Sequence, residues 1–135
     1  ASGAVGSTQL RRLERMLTDL AATDAFRVIL IHHPPDPGAT SSRRALRDAG
    51  ALCALLRRVG ADLVLHGHIH RGVPAGRTPG GIPVRNVAQQ VIREPYALFT
   101  IERADELPQR ERRRWRREQR IEKQFIVTIL KECRS

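Results

Sequence analysis

Two stretches decide the fold: Arg27-Val-Ile-Leu-Ile-His-His-Pro-Pro35 and Ala61-Asp-Leu-Val-Leu-His-Gly-His-Ile-His70. Each opens on a short apolar run that reads as a buried strand, and each closes on histidines. In the first, Pro34 and Pro35 remove backbone donors and stop the strand ladder at the histidine pair. Between the two runs a loop over 36–42 leads to a helix with Leu46, Leu52, Leu55 and Leu56 along one side, and Gly60 stands just past its end as a C-terminal cap. Strand, helix and strand make a β-α-β unit, so the strands are expected to run parallel with a right-handed crossover. Both histidine clusters then fall at the carboxyl edge of one sheet, where open α/β folds bind their ligands.

Outward from this unit, Leu10, Leu13, Leu17 and Leu20 recur at three- and four-residue steps after Ser7-Thr8, which predicts an amphipathic helix over 9–20 with a polar cap. Downstream, Thr78-Pro-Gly-Gly81 is a turn signal, and 82–87 and 96–101 read as strands with no room for crossover helices between them. An antiparallel second half is therefore expected.

Composition bounds the reading. At 135 residues the chain has the length of one domain, and 41% hydrophobic residues set it apart from a disordered polycation despite a net charge of +10. No apolar stretch approaches the ~20 residues that span a bilayer, so no membrane span is expected. Two cysteines, Cys53 and Cys133, form neither a disulfide framework nor a Cys-x-x-Cys metal site, and a reducing, cytoplasmic compartment is the expectation. Of the 24 basic residues 22 are Arg, and Arg-rich composition permits a nucleic-acid partner without requiring one.

All five histidines lie in the two clusters, His32 and His33 in one and His66, His68 and His70 in the other. Imidazoles directed into one crevice suit zinc, manganese or iron, and Gly67 lets the chain turn tightly enough to aim its neighbours. His-His-Pro-Pro at 32–35 after one strand, and Gly-His-Ile-His at 67–70 after the next, resemble the late motifs of the calcineurin-like metallophosphoesterases. The resemblance extends over roughly residues 3–103, through the Gly-x-x-Gly-Ser-x-Gln-Leu opening at 3–10 and the Gly-Ile-Pro-Val stretch at 81–84.

The resemblance implies an α/β sandwich of two mixed sheets flanked by helices. Residues 1–105 would be the C-terminal half of that domain, and 106–135 a basic extension whose strands complete or flank the sheet. It implies two metal ions (manganese, iron or zinc) and hydrolysis of phosphate esters, with His-His-Pro-Pro favouring small phosphodiesters. By position, His32 and His68 would share one ion and His70 would bind the second. His33, like His66, is expected behind the ligands or in the core, with contact to the phosphate or proton donation near the leaving group as its candidate catalytic role, and Arg71 would border the substrate. His66 is expected in the core or behind the ligands.

The sequence departs from the family's early motifs. Asp-x-His, Gly-Asp-x-x-Asp and Gly-Asn-His are all absent, and the sole asparagine, Asn86, stands between Arg85 and Val87. The carboxylate that would bridge the two ions therefore has no counterpart. The expectation is that an N-terminal half is missing, that the isolated chain is inactive, and that it exposes apolar faces. A rival reading rests on Arg110-Glu-Arg-Arg-Arg-Trp-Arg-Arg-Glu-Gln-Arg120, where seven arginines surround one tryptophan in a pattern that could contact phosphates and stack a base. Alternation around Trp115 fits a half-buried strand better than a helix.

Overall fold

The computed structural model describes residues 3–35, 45–103, 106, 108–111 and, for the backbone, 125–130. They fall into two compact units, Ala1–Tyr96 and Ala97–Ser135. In the first, the helices α1 (Ser7–Ala21) and α2 (Ala49–Val59) accompany the strands β1 (Val28–Ile31), β2 (Leu63–His66), β3 (Ala75–Arg77) and β4 (Pro83–Asn86), followed by a single turn of helix, α3 (Gln89–Ile92). The second unit contains β5 (Leu98–Arg103), paired antiparallel with β6 (Phe125–Leu130) from Leu98 opposite Leu130 to Arg103 opposite Phe125.

The sheet of the first unit has the order β1-β2-β4-β3. As the β-α-β pattern requires, β1 and β2 are parallel, with Ile29 opposite Val64 and Ile31 opposite His66. The expected antiparallel arrangement of the later strands holds for β3 with β4 and for β5 with β6, but β4 itself runs parallel to β2, with Val64 opposite Val84 and His66 opposite Asn86. The connection from β2 to β4 is long enough for a crossover without a helix, and β3 occupies part of it.

Side-chain alternation divides the sheet cleanly. Ile29, Val64 and Val84 lie in one row across β1, β2 and β4 and join a buried cluster with Leu17, Leu46, Leu52, Leu55 and Leu56, so this face packs on the two helices. Leu30, Leu65 and Arg85 make the opposite row, and there Leu30 is 77% exposed. Arg85 is half-buried on that face, and burial, with Arg77 adding to it, lowers its pKa.

Helix boundaries differ from the sequence expectation for one local and one long-range reason. Gly6, not a hydroxyl of Ser7 or Thr8, occupies the N-cap of α1 without any side-chain cap bond, its φ of 83° suited to glycine. Helix α2 begins only at Ala49, because Leu46 is engaged in a bridge with Gly3 that carries the chain across α2's start. Gly60 closes α2 with a φ of 76°, as expected. At the opposite end of the strands from the histidines, Arg27 and Asp62 tie β1 to β2: the Arg27 backbone N–H and Nε both donate to Asp62 Oδ2, at 2.8 and 3.3 Å.

Candidate metal centre

The parallel register ends β1 and β2 side by side, so the residues that follow them, His32 and Gly67, become neighbours. The Gly67 N–H donates to the carbonyl of His32 at 3.2 Å, which locks the two histidine loops together by their backbones. Past His33 the chain is driven inward: Pro34 and Pro35 are fully buried, and the Cys53 thiol of α2 donates to the Pro35 carbonyl at 3.2 Å. The histidine pair thus leaves the sheet edge anchored on both sides.

His68 is the residue that turns. Its φ is 61°, in the left-handed region, and the Ile69 N–H donates to the Gly67 carbonyl at 2.7 Å, closing a three-residue γ-turn centred on His68. A non-glycine residue held at positive φ costs of order 1–3 kcal/mol and persists only where its surroundings enforce it. The result is that His68 Nδ1 lies 3.1 Å from His32 Nε2. The His33 ring completes the group, its centroid 4.4 Å from that of His68 and 5.0 Å from that of His32.

A strap from the N-terminal side backs this group. The Val5 and Gly6 N–H groups donate to Asp48 Oδ1 and Oδ2 at 3.0 and 2.8 Å, and the Arg47 N–H donates to the Gly3 carbonyl at 2.8 Å. Burial tends to raise the Asp48 carboxyl pKa, but the bonds from Gly6, Val5 and its own backbone, together with the Arg47 charge, hold the group below its ordinary value. Gly3 is drawn so close to His33 that a Cβ there would stand 2.6 Å from the ring Cε1, which leaves no room for a side chain.

Of the residues singled out in the sequence, His32, His33 and His68 come together, whereas His70 and Arg71 are exposed. His66 is a core histidine, 8% exposed; burial, although opposed by the bond to Gly67, lowers its pKa and favours the neutral ring. Its Nδ1 donates to the Gly67 carbonyl at 3.0 Å, which fixes the proton on that nitrogen.

A pair of imidazole nitrogens sharing one ion at the usual bond length of about 2.0–2.1 Å stands about 2.9–3.4 Å apart, from octahedral to tetrahedral angles. The 3.1 Å between His32 Nε2 and His68 Nδ1 is a hydrogen-bond distance between the two rings and also falls in that interval. They do not complete a shell: among the described residues no group of three His, Cys, Asp or Glu side chains is arranged to hold a metal.

Asp48, Gly3 and Asn86, whose Nδ2 donates to the Ile69 carbonyl at 2.8 Å beside His68, are site-supporting residues that sequence reading missed. Asn86 alone carried a signal, as the only asparagine, placed at a strand end where an amide commonly bonds nearby backbone. The arginine-rich run lies outside the described residues beyond Glu111, as do the loop over 36–44 and the alternation around Trp115. Among the described residues no helix is long and apolar enough to cross a membrane. No family model matches the chain, and no curated protein is significantly similar to it.

Proposed function

We propose that this chain is the later half of a metal-dependent phosphoesterase domain acting on small phosphodiesters. The observation that carries the reading is the placement of His32 and His68 at adjacent ends of parallel strands, with ring nitrogens at ion-sharing distance. In this reading His32 and His68 hold one ion. His70, on the exposed continuation of the same loop, serves a second ion, and Arg71 lies beside the substrate. His33, in ring contact with both histidines, contacts the phosphate or protonates the leaving oxygen. The ions, once bound, would supply charge neutralisation at the phosphoryl group and a water acidified toward neutral pH.

The carboxylates such a centre needs are absent from the His32–His68 pair, and we assign them to an N-terminal half of the domain. The outer face of β1 supports that assignment, because two of its apolar residues, Leu30 and Val28, are 77% and 40% exposed.

The test is manganese-dependent hydrolysis of bis-p-nitrophenyl phosphate by the protein that carries this sequence in its native context. Substitution of His32 or His68 by Ala is expected to lower kcat/KM by at least ~100-fold, the scale at which a lost metal ligand or its support acts. Full activity in His68→Ala would overturn the proposal.

A further inference from the structure

Among the described residues, the γ-turn at His68 is flanked by a backbone anchor on one side and a side-chain anchor on the other. Upstream, Gly67 is held by its backbone bond to His32. Downstream, the Asn86 side chain, on a residue only 4% exposed, donates from Nδ2 to the Ile69 carbonyl at 2.8 Å. The same amide accepts from the Ala88 N–H at 3.0 Å through Oδ1, and the Asn86 backbone N–H donates to the Pro74 carbonyl at 2.9 Å. A carbonyl on one side and an N–H on the other leave a single orientation for the amide. Asn86 therefore joins the residue next to His68, the end of β4 and the start of α3 at one buried point.

We propose that Asn86 is the positioning residue of the His68 loop: its carboxamide holds the strained turn that brings the His68 ring to His32. The chemistry of the position explains why an amide is needed. Aspartate at 86 would keep the acceptor for Ala88 but set a carboxylate oxygen against the Ile69 carbonyl, and an apolar residue would leave both backbone groups without their bonds. Released from Asn86, His68 relaxes from positive φ, and its Nδ1 leaves the 3.1 Å contact with His32. The importance of this placement for metal binding rests on the phosphoesterase reading, whereas the placement itself does not.

The experiment reads the two separately. In the metal-free wild-type chain, long-range 1H–15N spectra report the ring nitrogens of His32 and His68, and hydrogen exchange reports the Asn86 side-chain amide. Slow exchange of that amide is expected, and exchange at the solvent rate would overturn the proposal without any variant. In Asn86→Asp, with Asn86→Ser as a second variant, the His32 and His68 ring signals are expected to shift while the Leu52 and Val64 amide signals stay in place. Unmoved rings would overturn the proposal. Rings that move only when the Leu52 and Val64 signals collapse as well would also overturn it, by showing a purely structural role. Cobalt(II) absorption then tests the metal. Binding by wild type is expected to weaken about 10- to 100-fold in Asn86→Asp. A wild-type protein carrying this sequence in its native context that shows the expected ring signals but no cobalt binding would refute the metal reading and leave the positioning role standing.

Discussion

Asp48→Ala should free the segment that backs His33, and its cost can be worked from two bonds. The Asp48 carboxylate accepts the Val5 and Gly6 N–H groups at 3.0 and 2.8 Å. A hydrogen bond to a charged group contributes about 1.5–3 kcal/mol, and the half-exposed setting argues for the low end, so losing both costs the strap about 3 kcal/mol. That corresponds to a roughly 100-fold rise in its opening equilibrium, since about 1.4 kcal/mol is tenfold. Asp48→Asn retains one acceptor oxygen and should cost about half as much, close to tenfold. Hydrogen exchange at Val5 and Gly6 measures this directly, with Val64 in β2 as the internal control. Because the bonds depress the folded-state pKa of Asp48, their contribution is present above the unfolded carboxyl value of about 3.9 and is lost as pH falls through the folded value. Protection of the wild-type strap should therefore hold from pH 5 to 7 and fall in stronger acid, whereas the Ala variant should start about 100-fold lower and lack the acid-dependent fall. Unchanged protection of Val5 and Gly6 in Asp48→Ala would refute the assignment of the strap to this carboxylate.

Three further outcomes follow from the packing. Gly3→Ala should displace the His33 ring, because its Cβ would meet that ring at 2.6 Å; a shift of the His33 ring signals with the α2 amides unmoved is the expected spectrum. His66, whose pKa is lowered by burial, should contribute stability that is full above its unfolded value of about 6.5 and declines as pH falls below it; His66→Gln should flatten urea-midpoint profiles between pH 5 and 7. Leu52→Ala, at a site 1% exposed, should cost about 2–5 kcal/mol by chemical denaturation, while Leu30→Ser, at 77% exposed, should stay within about 0.5 kcal/mol in this chain by itself.

The parts of the fold that depend on local pattern were legible in the sequence, and those that depend on partners were not. The runs at 28–31 and 63–66 and the leucine spacing of α2 are signals carried within each segment, and the parallel pairing follows from them. The strand Ala75-Gly-Arg77 is short and exposed throughout, with no alternation to mark it, and without it the route from β2 to a parallel β4 could not be foreseen. Leu46 carried helical spacing but was captured by the bridge to Gly3, a contact made across the unit. At the site, the approach of His32 and His68 was readable from the two strand ends. The separation of His70 from that pair comes from the γ-turn, and no residue type announces a positive φ at a histidine. Asn86 and Asp48 act across long sequence distances, on Ile69 and on Val5 and Gly6, so their roles exist only once the register is set.

Calorimetric titration of zinc into the protein that carries this sequence in its native context, and into its His32→Ala, His68→Ala and His66→Gln variants, decides whether the two strand-end histidines share an ion. Wild type and His66→Gln are expected to bind, with affinity lost in both His32→Ala and His68→Ala. Binding that survives unchanged in His68→Ala, or no binding by the wild-type protein, would contradict the shared site.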